Sequence, residues 1–299
     1  MTPRRVGQGR DSARSSRGVR PPLLGIAALL AVLALSVVMT GSAGAPGSPA
    51  FAALAATAPS RPNWRALPTV AAHLASTPAP IGGLFASSTD SEHYCTASVV
   101  ESPKQNLLLT AAHCVSGRAA RLSFIPGYAR GRAPFGRWQV VAAFAAPAWL
   151  DGQKPEDDAV FLQVAPRVIN GRSVQIQQLT GGYVLGSAPP NGARVTVVGY
   201  ASGEDDQPIR CVAPVYRYAG YPAFDCDGFV GGTSGSPWLT VQTGKTDVVH
   251  GVIGGLNQGG CSPNTSYSPP FGATIASLYQ AATEGTHPSS LPVPGSDGC

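Results

Sequence analysis

Val230-Gly231-Gly232-Thr233-Ser234-Gly235-Ser236-Pro237 sets a serine between glycines, just ahead of a strand-like apolar run. Glycines on both sides permit a tight turn with positive φ, in which the amides of Gly232 and Ser234 converge beside the hydroxyl. A serine hydroxyl is inert unless a base removes its proton and donors hold the oxyanion formed when it attacks a carbonyl. The same stretch also reads as an ordinary glycine-serine turn, so the partners of Ser234 decide between the two.

Those partners stand upstream. Leu109-Thr110-Ala111-Ala112-His113-Cys114 ends an apolar run on a histidine, and Asp158-Ala159-Val160-Phe161-Leu162 opens another on an aspartate. The chain order is therefore His, Asp, Ser, and the three groups are a base, its orienting carboxylate and a nucleophile. Asp157 competes with Asp158 for the carboxylate role, while His93, His250 and His287 lack comparable context and His73 reads as a solvent-facing residue.

With these motifs the chain resembles the trypsin/chymotrypsin-like serine endopeptidases. Thr110 to Cys114 matches that family's histidine signature, and Gly232-Thr233-Ser234-Gly235-Ser236-Pro237 resembles its serine motif with Thr233 and Ser236 substituted. Both changes resemble the bacterial glutamyl-endopeptidase-like branch, and the likeness spans residues 80 to 285. It implies that Ser234 is the nucleophile, His113 the general base and Asp158 its orienting group by register, with Gly232 and Ser234 forming the oxyanion hole. The threonine at 233 removes the charge that pairs with a new N-terminus in trypsin-like zymogens. Ile81-Gly82-Gly83 is thus not expected to insert as an activated N-terminus, and maturation is expected to remove residues 53 to about 80. Alignment to the family sets Gly228 where trypsin has its pocket aspartate, and Ile253 where glutamate-specific relatives have a histidine. A pocket of Gly228, Phe229, Ile253, Gly254 and Gly255 suits an apolar or small side chain; His250 is the remaining candidate for recognising an acidic one.

Residues 1–22 carry six arginines and one acid and precede the apolar run 23–39, a basic region and hydrophobic region of a signal peptide. Small-residue cleavage sites follow at Ala43-Gly44-Ala45 and Ala50-Phe51-Ala52, and Arg4-Arg5 does not continue into a twin-arginine pattern. The expectation is a secreted protein; an uncleaved leader would instead anchor it in a membrane through residues 23–39. Of 21 basic side chains six lie in the first 22 residues, and of 16 acidic ones one does, so 15 of each remain. The net charge of +5 belongs to the leader and gives no support to a nucleic-acid partner.

Residues 53–80, rich in Ala, Pro, Ser and Thr, read as a linker or short propeptide, with a brief helix over 67–74. Strand-like segments then run at 81–85, 94–100, 106–110, 121–124, 138–144 and 159–164, and again at 174–176, 195–200, 237–241 and 248–253, with one helix over 273–283. The expected fold is all-β, two packed six-stranded antiparallel β-barrels with a C-terminal helix, divided as 1–52 leader, 53–80 linker, 81–175 first barrel and 176–299 second barrel with helix and tail.

All six cysteines lie beyond the leader, an even number suited to an oxidising compartment. The resemblance implies Cys95 with Cys114, then Cys211 with Cys226, which leaves Cys261 and Cys299. Without Cys-x-x-Cys or His-x-x-His spacing no metal is expected, nor any cofactor. Polypeptide substrates and a monomer are the expected partners and state. Two alternatives differ in class. An α/β-hydrolase esterase requires a second glycine and a following helix where Ser236 and Pro237 stand. A non-catalytic binding protein could use the same scaffold.

Overall fold

The computed structural model describes residues 70–117, 119–202 and 207–299; the leader over 1–52 and the linker up to residue 69 lie outside the described residues. The chain divides into units at Ala55, and all that follows concerns Ala56–Cys299. The elements run β1 (His73–Leu74), β2 (Ile81–Phe85), β3 (Cys95–Val100), β4 (Leu107–Thr110), β5 (Ser123–Pro126), β6 (Trp138–Ala145), α1 (Pro147–Gly152), β7 (Val160–Val164), β8 (Arg167–Ile169), β9 (Arg172–Val174) and α2 (Ile176–Thr180). They continue through β10 (Val184–Leu185), β11 (Arg194–Gly199), β12 (Ile209–Pro214), β13 (Tyr216–Tyr218), β14 (Tyr221–Asp225), β15 (Pro237–Thr240), β16 (Val248–Val252), β17 (Thr265–Tyr267) and α3 (Ala273–Glu284).

Strands β2-β3-β4-β7-β6-β5 close into a barrel in that order. Closure follows from strands that are apolar on both faces, because each face has its own core to fill. Val160, Leu162 and Val164 of β7 point into the barrel with Leu84, Ala97, Val99, Leu108 and Trp138. Phe161, Leu107, Leu109, Ile81 and Phe85 point outward and meet Val198, Leu239, Val249 and Val252 of the second lobe. The outward faces of the barrel are therefore the floor of the interlobe contact.

The second lobe is distributed over a six-stranded sheet, β1-β12-β11-β15-β16-β10, and a three-stranded sheet, β13-β14-β17. All its pairings are antiparallel except β10 with β16, which is parallel. Trp238 of β15 and Phe224 of β14 meet edge to face at 4.9 Å, and Phe224 meets Phe229 at 5.4 Å, joining both sheets to the segment that leads to Ser234. Pro237 opens a strand, so no helix follows the serine as an α/β-hydrolase elbow demands.

Helix α3 buries Ile275, Leu278 and Ala282, spaced three and four apart, against Phe144 and Phe161 of the first barrel. Each fully buried Ile or Leu contributes about 1.5–3 kcal/mol. Ile176 of α2 likewise belongs to the first barrel's core, so a boundary at 175/176 cuts through packed structure. The expected strand 174–176 resolves into the end of a small hairpin, β8 with β9, and the start of α2. Three disulfides join Cys95 to Cys114, Cys211 to Cys226 and Cys261 to Cys299, with Cα atoms 6.2, 6.6 and 5.4 Å apart.

The brief helix expected over 67–74 is replaced, in its described part, by an extended strap. Leu74 and the exposed His73 pair with Ile209 and Arg210 of β12. The Ala72 amide donates to the Asp227 carbonyl at 2.7 Å, the Asp227 amide to Val70 at 2.8 Å and the Ala75 amide to Pro208 at 2.9 Å. A cut at Ile81 would remove these bonds. A protein beginning at Ile81 is expected to lose about 2–3 kcal/mol relative to one beginning at Val70, at about 1 kcal/mol per hydrogen bond. Differential scanning fluorimetry of both should show a fall of about 5–10 °C, and equal melting temperatures would disprove a stabilising strap.

Candidate active site

His113 lies on a single 3-10 turn, Ala112–Cys114, directly after β4, and the Cys95–Cys114 bond fastens that turn to β3. Its backbone amide donates to Asp158 Oδ1 at 2.9 Å and its Nδ1 meets Asp158 Oδ2 at 2.7 Å. Gly255, from the second lobe, donates its amide to the same Oδ2 at 2.8 Å. A carboxylate partner requires the proton on Nδ1, which leaves the Nε2 lone pair for other work. Asp158 is fully buried and the imidazole is 8% exposed. Asp157 is half-buried, and burial, then the Glu156 charge, raises its pKa while Lys154 opposes. Both oxygens bonded to His113 belong to Asp158.

The serine turn depends on two glycines. Gly232, at φ +90°, has no room for a side chain, since a Cβ would come within 2.7 Å of the Tyr200 carbonyl. Gly235, at φ +83°, lies directly against Thr110 Oγ1 and the Thr96 carbonyl of the first barrel. The amides of Gly232 and Ser234 donate to no acceptor among the described residues and remain available to a ligand. The Ser234 hydroxyl makes no hydrogen bond among the described residues either, and it lines the same cleft as His113.

Thr233 closes the turn on itself: its Oγ1 donates to the Val230 carbonyl at 2.6 Å and its amide to the same oxygen at 3.1 Å. Ser236 Oγ donates to the Thr233 carbonyl at 2.6 Å and rests against Gly199 of β11. Ile81 is buried in β2, its amide bonded to the Pro78 carbonyl at 3.1 Å, and Thr233 carries no charge that could pair with a terminus.

One residue overlooked in the sequence holds this turn from the opposite lobe. Thr96 of β3 donates its amide to the Ser234 carbonyl at 2.8 Å and its hydroxyl to the Gly232 carbonyl at 3.1 Å. The hydroxyl also accepts the Tyr200 amide at 3.0 Å, and the Thr96 carbonyl accepts Thr110 Oγ1 at 2.7 Å. The signal available was a threonine amid the apolar residues of a strand, next to Cys95.

His113 and Ser234 face one cleft of about 570 Å³. Phe229 and Ile253 line it as expected, together with Val230, Gly259, Pro263 and Ser266. Gly228, Gly254 and Gly255 do not: Gly228 is exposed, its amide bonded to the Pro263 carbonyl at 3.0 Å, and Gly254 and Gly255 back the Asp158 carboxylate. His250 points elsewhere, its Nδ1 on the Ser187 carbonyl at 2.7 Å, so it is not an acid-recognising group of this cleft. Tyr94 lines the mouth and donates to the Cys114 carbonyl at 2.6 Å; burial pushes its pKa up. Among the described residues Cys95, His113 and Cys114 alone group as metal ligands would, and both sulfurs are committed to a disulfide.

A two-lobed β fold with a serine turn and a buried His–Asp pair in its cleft is the architecture of a serine endopeptidase. The chain belongs to the trypsin-like peptidase domain family, which matches residues 95–249. No curated protein matches the sequence. Among solved structures it is similar to the protease Anisep from Arthrobacter nicotinovorans, at TM-score 0.60 and 22% identity over 71% of this chain and 99% of that one. It is also similar to the thermostable serine protease AL20 from an extremophilic microorganism, at 0.57 and 23% over 69% and 98%. A Glu endopeptidase aligns at 0.53 and 16% over 72% and 97%.

Replacing Thr96 with valine keeps the shape and strands the Gly232 carbonyl and Tyr200 amide. The expected cost is about 2–3 kcal/mol, the penalty for unsatisfied buried groups, read from urea unfolding. A stability within about 0.5 kcal/mol of wild type would refute the bridge.

Proposed function

We propose that this protein is a secreted endopeptidase that cleaves polypeptides through an acyl-enzyme on Ser234. The observation that carries the reading is the 2.7 Å contact of His113 Nδ1 with the fully buried Asp158, in a cleft shared with Ser234. His113 Nε2 takes the Ser234 proton as Oγ attacks the scissile carbonyl carbon. The amides of Gly232 and Ser234 receive the oxyanion. Collapse expels the amine, which takes the proton from His113. Water, deprotonated by the same Nε2, attacks the acyl-enzyme, and the acid leaves as Ser234 recovers its proton. Asp158 keeps the imidazole in the Nδ1–H tautomer and offsets the charge it acquires.

Phe229 and Ile253 favour an apolar or small substrate side chain in the primary pocket. The basic and apolar leader and three disulfides support export to an oxidising compartment.

Labelling with a fluorophosphonate, the adduct located by peptide mass spectrometry, tests the triad. The adduct should sit on Ser234 and vanish in Ser234→Ala and His113→Ala. Asp158→Asn should lower kcat by about 10⁴ through the wrong tautomer. An adduct that survives in His113→Ala would refute the mechanism.

A further inference from the structure

After α3 the chain returns across both lobes and ends at the cleft. Leu291 exchanges two backbone bonds with Gly117, at 2.7 and 3.2 Å, and its side chain joins the first barrel's core. Gln153, just beyond α1, donates to the Val293 carbonyl at 2.9 Å and accepts the Gly295 amide at 2.6 Å. Gln258 donates to the Gly295 carbonyl at 2.8 Å, and Cys299 is bonded to Cys261. The segment from Leu291 to Cys299 is thus fastened at Leu291, Val293, Gly295 and Cys299.

The loop it grips is itself held in an unfavourable form. Asn257 and Gln258 are consecutive residues with side chains at φ +52° and +49°, the left-handed region that a Cβ disfavours. Such backbone persists where its surroundings over-determine it, and it clusters where ligands bind. Here the surroundings are the tail: the Gln258 side chain on Gly295, and the disulfide at Cys261 a little further along.

This arrangement brings Asp297 to the wall of the cleft that holds His113 and Ser234. Asp297 is the one carboxylate among the described residues lining it, and no lysine or arginine among them lines it. Its Oδ1 accepts the Cys299 amide at 2.9 Å, which fixes the group on the tail. Asn257, Gln258 and Asp297 also line an adjoining hollow of about 580 Å³ beneath α1, where Asp151 is the second carboxylate and cations are again missing from the described lining. Asp297 lines both the cleft and the hollow, and Asp151 lines the hollow.

We propose that the disulfide-fastened tail is a fixed wall of the substrate cleft, and that Asp297 selects peptides carrying a Lys or Arg side chain at the subsite between cleft and hollow. The inference rests on the assignment of Ser234 as nucleophile. It adds a charge-selective subsite beside the apolar primary pocket, built by the last residues of the chain and not by the two lobes.

The test is hydrolysis of matched peptides that differ by Lys or Gln at each position around the cleaved bond, by the purified protein and by Asp297→Asn. A preference for Lys of about fivefold in kcat/KM is expected at one position, the scale of a partly exposed ion pair. It should reside in KM, vanish in Asp297→Asn, and shrink in about 0.5 M salt, where screening shortens to a few ångströms. Cys261→Ser with Cys299→Ser should weaken it as well. No Lys preference at any position, or one that persists in Asp297→Asn, overturns the proposal while fluorophosphonate labelling of Ser234 upholds the peptidase. Failure of the wild-type protein to label overturns the peptidase reading itself.

Discussion

The carboxylate of Asp158 is the point on which both lobes and the site depend. A charge taken fully out of water is tolerated only when donors replace its hydration. Three do so: the amide and Nδ1 of His113 from the first barrel, and the Gly255 amide from the second lobe. None of the three can be supplied by β7 itself. Docking of the lobes and orientation of the imidazole are therefore the same event, and a chain with its lobes apart would hold a buried charge one donor short. Gly254 packs directly on this carboxylate, since a Cβ added there would lie 3.0 Å from Oδ2.

Thr96 imposes a matching constraint on the turn of Ser234. Ser234 belongs to the second lobe, yet its carbonyl and that of Gly232 are held by a residue of the first barrel's β3. The carbonyls that share peptide planes with the Gly232 and Ser234 amides are those of Gly231 and Thr233, held by the Ser202 amide at 2.7 Å and by the Ser236 hydroxyl at 2.6 Å, and the two amides are free of other acceptors among the described residues. Gly235 allows this approach, since any side chain there would occupy the space of Thr110 Oγ1. Each lobe thus orients the other's chemistry: Gly255 steadies the carboxylate behind His113, and Thr96 steadies the turn that carries Ser234. The apolar contact of Leu109, Phe161, Val198 and Val252 supplies the adhesion that these polar contacts direct.

What can be read from the sequence is the part written in short contiguous runs. Strands with period-two apolar faces, such as 160–164, and the motifs around His113, Asp158 and Ser234 need only their neighbours to be recognised. Sites assembled from distant residues escape such a reading. Thr96 reads as one more strand residue because its partners lie 104 and 136 positions away. Strands β12 to β14 stay hidden because Arg210, Arg217 and a run of prolines and tyrosines break the pattern, although the burial of β12 alternates plainly and four of the five residues of β14 are buried. The wall formed by 257–263 has no period at all, and it is held by Gly228, by its own backbone bonds and by the tail through Gln258 and Cys261. Position along the chain puts Gly228, Gly254 and Gly255 in the pocket, whereas the fold packs Gly254 and Gly255 against Asp158 and the 268–269 backbone and leaves Gly228 exposed beside Ala72.

The threonine before Ser234 explains how the turn is held without an acid there. In Thr233 the hydroxyl and amide both return to the Val230 carbonyl, so the turn carries its own closure. Nothing charged is left to be satisfied by a newly cut amine, and the residue that such an amine would come from, Ile81, is locked between β3 and β5. The segment upstream of it acts on the other lobe. Residues 70–75 extend the second lobe's sheet beyond β12 and bond to Asp227, at the root of the stretch that becomes the cleft wall and the serine turn. Proteolysis inside that segment would strip an edge strand from the lobe that carries Ser234. A cut upstream of Val70 would leave the strap intact.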